Sequence, residues 1–257
     1  MAFFDCHFFS ETLALSVSAH VLIPQIAAKK PRTLHPTLFL LHGLSDDHTI
    51  WMRRTSIERY AAARNLAVVM PAVGRSYYQD MASGPRYWTY LSEELPAIMR
   101  SFFPLSEERA DNFTAGLSMG GYGALRLALG HPKKFAAAAS FSGALDYVRR
   151  LRESGNAASR INKTEWDSVA GPGANAAGST SDLNFLAKRV ANGTGPKPAI
   201  WLSCGTEDDI IPDSRAFHRH LDAVGYPHHY EEDSGGHEWA FWDRQIERAI
   251  AWLPLRK

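Results

Sequence analysis

The sequence has few cysteines, no excess of either charge and no long apolar run. Cys6 and Cys204 are its two cysteines, and they lie far apart in a chain of 257 residues. A scaffold held by disulfides needs more cysteines than this, so we expect a reducing compartment, with the cytoplasm as the default. No stretch approaches the roughly 18 apolar residues of a membrane span, and the N-terminus lacks the pattern of a signal peptide. These absences predict an unexported protein without stable membrane association.

The charge balance is close to even, with 28 basic and 27 acidic residues and a formal net charge of +1. Because neither sign forms a long run, nucleic acids and anionic membranes are not the expected partners, and a small-molecule substrate is favoured. The hydrophobic content of 45% and the length predict one globular domain over residues 1–257.

The apolar residues that are present follow three patterns. Short alternating runs over residues 6–24 are typical of an antiparallel pair of strands. Continuous apolar runs, which are typical of strands buried on both faces of a parallel sheet, follow at residues 37–41, 66–70, 112–115, 135–141 and 199–203. Helical spacing occurs between them, at residues 55–65, 92–103, 119–130, 213–224 and 239–252. The pattern predicts an α/β fold with a mostly parallel, doubly wound sheet and an antiparallel N-terminal pair.

Residues 147–198 interrupt this alternation, because they are rich in Gly, Ser, Asn and Ala and have little helical periodicity. We interpret this segment as a small insertion over the carboxyl edge of the sheet. Trp166, Leu183 and Phe185 are apolar anchors that would make it a partly ordered cap. The alternative is a disordered surface loop.

Residues 116–120 read Gly-Leu-Ser-Met-Gly, which is the form of a nucleophile elbow. A predicted strand precedes this motif and a predicted helix follows it. A strand–turn–helix of this kind forces Ser118 into a strained conformation and exposes its hydroxyl above the sheet, while the glycines leave room for crossing backbones. We therefore expect Ser118 to be a nucleophile.

A serine nucleophile needs a histidine to accept its proton and a carboxylate to orient that histidine. Of the 11 histidines, His237 follows two glycines at the exit of a further strand predicted over residues 229–232. The predicted strand at 199–203 ends in an acidic loop that offers Asp208 or Asp209, which are adjacent and cannot both point at one imidazole. We expect Asp213 to cap the following helix. Glu207 is not expected to be the carboxylate that orients the histidine.

Two backbone N–H groups are candidates to stabilise an oxyanion, those of Met119 in the elbow and of Leu44 in the loop at residues 42–48. His42 is expected to shape that loop. Asp46, Asp47 and His48 invite a metal interpretation, but adjacent side chains point in different directions and no matching ligand cluster stands out elsewhere. A plain polar loop without a metal is the prediction.

With these residues placed, the chain resembles the esterase D family of α/β-hydrolases. This family includes S-formylglutathione hydrolases and, more distantly, mycolyltransferases, and the bacterial tributyrin esterase branch is the most similar. The matching segments lie at residues 42–47, 69–73, 77–81, 87–90, 94–96, 116–124, 204–208 and 236–239, with Trp51. The resemblance implies a Ser118–His237–Asp208 triad, oxyanion donors at Leu44 and Met119, short-chain acyl ester substrates and no cofactor.

One departure from the family bears on the substrate. S-formylglutathione hydrolases usually have histidine where this chain has Tyr122, and their oxyanion loop differs from the His-Gly-Leu-Ser at residues 42–45. Cleavage of a glutathione thioester is therefore disfavoured. Aromatic residues that could line an acyl or aryl pocket are Tyr77, Tyr78, Trp88 and Trp166.

The predicted function is that of a serine carboxylesterase acting on short-chain esters. An S-formylglutathione-type thioesterase, a feruloyl or acetyl esterase and an acyltransferase use the same triad and are the enzyme alternatives. A catalytically silent binding module on the same fold is an alternative from another class, and an interfacial lipase is disfavoured because no long apolar lid is evident. An edge strand or the insertion could also pair two copies into a homo-oligomer.

Overall fold

The computed structural model describes residues 1–25, 34–154 and 160–256. The eight strands found there are β1 (Ala2–Ser10), β2 (Leu15–Ile23), β3 (Thr37–Leu41), β4 (Ala67–Pro71), β5 (Asn112–Leu117), β6 (Ala137–Phe141), β7 (Ala199–Gly205) and β8 (His229–Asp233). They form one sheet in the order β1-β2-β4-β3-β5-β6-β7-β8. The pairs β1–β2 and β2–β4 are antiparallel and the other five are parallel. The predicted mostly parallel sheet with an antiparallel N-terminal pair is confirmed.

The helices are α1 (Ile50–Arg54), α2 (Ile57–Ala62), α3 (Tyr87–Thr89), α4 (Leu95–Phe102), α5 (Met119–Gly130), α6 (Tyr147–Arg152), α7 (Lys163–Ala170), α8 (Leu183–Asn192), α9 (Ile211–Ala223) and α10 (Trp239–Trp252). A π-helical turn over Tyr90–Glu94 joins α3 to α4, and a 3-10 turn over Arg109–Asp111 precedes β5. In the described part of the chain, no helix is long and apolar enough to cross a membrane.

Apolar layers cover both faces of the sheet. Phe39 and Leu41 of β3 belong to one buried cluster, whereas Leu38 and Leu40 belong to the other. Successive side chains of a strand point to opposite faces, so a strand covered on both sides must be apolar throughout. This is the physical reason why uninterrupted apolar runs mark these strands.

The segment at residues 147–198 is more helical than its composition predicts. It contains α6, α7 and α8, and residues 155–159 of it lie outside the described residues. Asp146, Asn162 and Asp182 each accept a hydrogen bond from a backbone N–H in the first turn of these helices. Capping of this kind satisfies donors that a short helix cannot satisfy internally. The interpretation of the segment as a cap stays a prediction.

Candidate active site

Loops that follow the parallel strands meet at the carboxyl edge of the sheet. Those after β3, β5, β7 and β8 carry the candidate residues, and all contribute to one cleft. Open α/β sheets bind ligands at this edge, because the loops of several strands converge there. The candidate residues of the sequence therefore lie where such a fold places its chemistry.

Ser118 occupies the sharp turn between β5 and α5. Its φ of 53° and ψ of −118° are strained for a residue with a side chain. The backbone is held on both sides, because the Ser118 N–H donates to the Phe141 carbonyl at 2.9 Å and the Ser118 carbonyl accepts from the Ala144 N–H at 3.0 Å. A Cβ on Gly120 would overlap the carbonyl oxygen of Leu41. Glycine is thus required at residue 120, because the backbone of β3 passes close to it.

Ser118, His237 and Asp208 form a continuous chain of hydrogen bonds. The Nε2 of His237 lies 3.0 Å from the Oγ of Ser118, and its Nδ1 lies 2.9 Å from the Oδ2 of Asp208. Because Asp208 is buried and its carboxylate accepts at Nδ1, the proton of a neutral ring sits on Nδ1 and leaves Nε2 free to accept from the serine. The three residues are brought together as the resemblance implies.

The environment of Asp208 keeps its carboxylate charged. Burial raises the pKa of this group, but hydrogen bonds from His237, from the Ser142 hydroxyl and from the Ile210 N–H outweigh burial and hold the pKa below its usual value. Asp209 is exposed. The structure therefore distinguishes the two adjacent carboxylates, and it adds Ser142 as a support of Asp208 that the sequence pattern does not indicate.

The loop that carries His237 lies directly against the loop that carries Asp208. A Cβ on Gly205 would overlap the carbonyl oxygen of Gly235, so glycine is needed for this approach. The Gly235 N–H donates to the Oε2 of Glu207 at 2.6 Å, which ties the two loops together. On its other side the His237 ring packs edge-on against Trp242, with a centroid distance of 4.9 Å.

The loop after β3 brings Leu44 to the same place. A Cβ on Gly43 would lie 2.7 Å from the side chain of Leu117 and 3.8 Å from the Cβ of Ser118, so this loop borders the elbow. Leu44 and Met119 both line the cleft. Among the described residues, neither backbone N–H donates to another protein group. Both residues therefore lie beside Ser118, in the places where the resemblance leads us to expect the oxyanion donors.

His42 fixes the shape of this loop. Its Nδ1 donates to the Gly43 carbonyl at 2.7 Å, and its Nε2 accepts from the Val73 N–H at 3.1 Å. Since one ring nitrogen faces an acceptor and the other a donor, the imidazole is neutral in a defined tautomer. Complete burial lowers the His42 pKa to about 4, in line with this structural role.

The cleft has a volume of about 580 Å³. Tyr77 and Trp166 line it, with ring centroids 5.1 Å apart. Tyr78 and Trp88 lie elsewhere, which corrects their assignment to the pocket. The Tyr78 hydroxyl donates to the His42 carbonyl at 2.8 Å beneath the loop, and Trp88 stacks on His131. An aromatic side chain packs equally well in a core or in a pocket, so residue type alone does not separate these roles.

Charged side chains also line the cleft, and the sequence pattern did not indicate them. The basic ones are Arg75, Arg149, Arg150 and Arg160, and the acidic ones include Asp46 and Glu153. Asp213 does not cap α9 as expected, because its buried carboxylate pairs with the guanidinium groups of Arg149 and Arg150. The charge of this carboxylate is thus matched by two cations across the cleft wall.

The arrangement is suited to nucleophilic acyl transfer. A hydroxyl that donates to an imidazole can attack a carbonyl, and backbone N–H groups at such a turn can receive the charge that develops on the carbonyl oxygen. The cleft is wide enough for a small ester.

Comparison with known proteins agrees with this chemistry. Residues 10–253 match the model of a family described as "Putative esterase". An acetyl esterase of Caldicellulosiruptor saccharolyticus is 32% identical over 222 residues, which cover 84% of this chain and 82% of the relative.

Two solved structures from Staphylococcus aureus are similar over nearly their whole length. The fluorophosphonate-binding serine hydrolase FphF has a TM-score of 0.91, and the S-formylglutathione hydrolase FrmB has a TM-score of 0.88. Each is 33% identical, with 99% of both chains covered. The fold is therefore that of the α/β-hydrolases. The chain belongs to the esterase family whose model matches residues 10–253, and it is a carboxylic ester hydrolase.

Proposed function

We propose that the protein hydrolyses short-chain acyl esters through Ser118, His237 and Asp208. The observation that carries this proposal is the unbroken relay from the Ser118 hydroxyl through both nitrogens of His237 to a buried, charged Asp208. The strained serine and the two free N–H groups beside it support the same assignment.

In the first half-reaction, the Oγ of Ser118 attacks the ester carbonyl while His237 takes the hydroxyl proton. The N–H groups of Leu44 and Met119 receive the oxyanion of the tetrahedral intermediate, and Asp208 stabilises the imidazolium. The intermediate collapses when His237 gives its proton to the departing alcohol, which leaves an acyl group on Ser118. Water activated by His237 then releases the acid by the same steps.

The wall formed by Tyr77 and Trp166 supports a preference for short acyl chains. Both rings are buried and pack against each other and against Tyr147, so the wall is rigid. A rigid aromatic wall beside the nucleophile limits the length of the acyl group that can lie there.

Thioester hydrolysis is the second candidate, because FrmB, at 33% identity, is an S-formylglutathione hydrolase. The arginines of the cleft could pair with carboxylates of such a substrate. Against this, Tyr122 stands where the resemblance leads us to expect histidine in glutathione-specific enzymes. Its hydroxyl is buried and bonded to Gln79 and Ser181.

The test is hydrolysis of p-nitrophenyl esters from acetate to laurate, beside S-formylglutathione, with wild-type enzyme and Ser118→Ala. We expect a maximum at short chains and a fall in kcat of at least about 10³-fold in the variant. A fluorophosphonate probe should label the wild type at Ser118. Turnover of S-formylglutathione alone would favour the second candidate, whereas turnover that survives Ser118→Ala would refute both.

A further inference from the structure

Asp5, His20 and His48 meet outside the cleft, although they come from three separate segments. Asp5 on β1 is paired in register with His20 on β2, and His48 lies in the loop after β3. The Nε2 atoms of His20 and His48 lie 3.7 Å and 3.9 Å from the Oδ1 of Asp5. One ligand atom from each of the three residues lies within 4.8 Å of the other two.

These side chains do not satisfy one another by hydrogen bonds. Separations of 3.7 Å and 3.9 Å are too long for that. His20 is 8% exposed, and the Nδ1 atoms of His20 and His48 are buried without a partner among the described residues. The Nε2 atoms of both rings are thus held near one carboxylate oxygen of Asp5 without a direct hydrogen bond to it.

A second histidine cluster makes the contrast clear. The Nδ1 of His218 lies 2.8 Å from the Nε2 of His228, and the Nδ1 of His228 donates to the Tyr226 carbonyl at 2.9 Å. One choice of tautomers satisfies both contacts, so hydrogen bonding explains that cluster. With Asp222, whose Oδ2 lies 3.5 Å from the Nε2 of His218, this second cluster has the same residue types as the first but a different arrangement, and it serves as a control.

We propose that Asp5, His20 and His48 bind a divalent transition-metal cation of the Zn²⁺ type, with water or His7 as a fourth ligand. Two imidazoles and a carboxylate suit Zn²⁺, whereas Mg²⁺ and Ca²⁺ prefer oxygen ligands throughout. Tetrahedral coordination at about 2.0–2.2 Å places ligand atoms roughly 3.3 Å apart. The two measured separations from Asp5 exceed this by less than an ångström, so small side-chain rotations would close the site.

The surroundings of the cluster favour a cation. Asp5 supplies a negative charge, and its half-exposed side chain leaves the site open to solvent. The Nε2 of the exposed His7 lies 3.4 Å from the Oδ1 of Asp5, within reach of a bound ion.

Binding would connect the first two strands to the loop that carries Leu44. His48 follows Leu44 by four residues in this loop, while Asp5 and His20 belong to the outer pair of the sheet. The bound cation would therefore tie the hydrogen-bonded pair of β1 and β2 to the loop after β3. Such a cross-link stabilises the folded state, because the unfolded chain offers no preformed site.

The experiment is titration of the full, chelator-treated chain with ZnCl₂ by calorimetry and with CoCl₂ by visible absorption. We expect one equivalent to bind, a tetrahedral Co²⁺ spectrum and a rise in the Tm with Zn²⁺. The double substitution His20→Gln/His48→Gln should abolish all three effects. The matched double substitution His218→Gln/His228→Gln in the second cluster should leave them unchanged.

Asp5→Asn provides a milder variant, because it changes one half-exposed side chain on an edge strand. It should weaken Zn²⁺ binding by more than about tenfold while the apo Tm stays near that of the wild type. The proposal is overturned if the wild type binds no Zn²⁺, if Asp5→Asn binds it as tightly as the wild type, or if the second cluster proves to be the site.

Discussion

At the residue scale, Asp208 and Asp209 are adjacent carboxylates in opposite environments. Asp208 is buried and holds His237, whereas Asp209 is exposed. We predict that Asp208→Asn lowers kcat by about 10³–10⁴-fold, because an amide at this position favours the wrong tautomer of His237. Asp209 also lines the cleft, but the Nδ1 of His237 pairs with Asp208. Asp209→Asn, which makes the same chemical change one residue along, should therefore stay within about twofold of the wild type.

Steady-state kinetics on p-nitrophenyl acetate would measure this difference, with circular dichroism to verify that both variants fold. Equal losses in the two variants would contradict the assignment of Asp208.

Trp166 offers a test of the proposed acyl-chain limit. Its side chain lines the cleft and packs on Tyr77. We predict that Trp166→Ala moves the preferred p-nitrophenyl ester toward longer chains, because removal of the ring opens space in the wall. Trp88→Ala is the control, since this ring packs on His131 away from the cleft. The ratio of kcat/KM for octanoate to that for butyrate reports the change, and an unchanged ratio in Trp166→Ala would place the acyl group elsewhere.

The site residues differ in how well sequence alone predicts them. Ser118 lies two residues from Gly116 and Gly120, where a Cβ would overlap backbone atoms, and His237 lies two residues from Gly235, whose φ of 140° favours glycine. Their local sequence therefore carries a geometric signal. Asp208 needed the family resemblance, because burial separates it from Asp209 and burial depends on the tertiary fold. The cleft arginines have no local signature, since their place is set by α6 and by loops distant in sequence.

At the element scale, Glu94 fastens the turn between β1 and β2. Its carboxylate accepts from the Ser10 hydroxyl at 2.5 Å and from the Glu11 N–H at 2.8 Å, and it also accepts from the Thr12 N–H. Glu94 itself lies in the π-helical turn before α4. We predict that Glu94→Gln lowers the free energy of unfolding by about 1–3 kcal/mol at pH 7, since hydrogen bonds to a charged group are replaced by weaker ones. Glu93→Gln, at the exposed neighbouring residue, is the control.

This effect should depend on pH. Burial raises the pKa of Glu94, but the hydrogen bonds from Ser10, Thr12 and Glu11 outweigh burial and hold the pKa below its ordinary value of 4.5. Because the folded-state pKa is the lower one, the stabilisation is fully present above pH 4.5 and is lost as the pH falls through the folded-state value. Urea unfolding of wild type and Glu94→Gln at pH 7 and at pH 3.5 would measure the difference, which should shrink at the lower pH. A constant difference would rule out the carboxylate charge as its source.

Elements were predictable where one periodicity dominates. The run at residues 119–130 gave the bounds of α5, and residues 239–252 gave those of α10. The helices α6, α7 and α8 were not predicted, because each is short and is stabilised by capping and by burial against the rest of the chain. Phe185, expected as an anchor, is 38% exposed, whereas Trp166 and Leu183 are buried.

At the scale of the whole molecule, the sheet was predictable because burial on both faces leaves strands with uninterrupted apolar runs. The cluster of Asp5, His20 and His48 was not. The sequence predicts a plain polar loop at His48, because side chains that are adjacent in sequence point in different directions. Only the folded chain brings strands β1 and β2 to that loop.

The segment at residues 147–198 shares its core with the rest of the chain. Leu183 and Leu186 of α8 belong to the same apolar cluster as Phe39 of β3. The Ser181 hydroxyl donates to Gln79, and the Ser181 carbonyl accepts from the Tyr122 hydroxyl beside the elbow helix. We infer that the segment and the sheet form one cooperative domain, because neither can open without exposing surface of the other.

One cooperative domain predicts one unfolding transition in urea, with the same midpoint by far-UV circular dichroism, by tryptophan fluorescence and by esterase activity. Leu186→Ala should destabilise the chain by about 2–5 kcal/mol, since this side chain is fully buried, and should move all three midpoints together. Phe185→Ala, at the exposed neighbouring residue of the same helix, should change stability by no more than about 0.5 kcal/mol. If activity disappears at a lower urea concentration than the circular dichroism signal, and Leu186→Ala widens that gap, the segment unfolds by itself and must be treated as a separate cap.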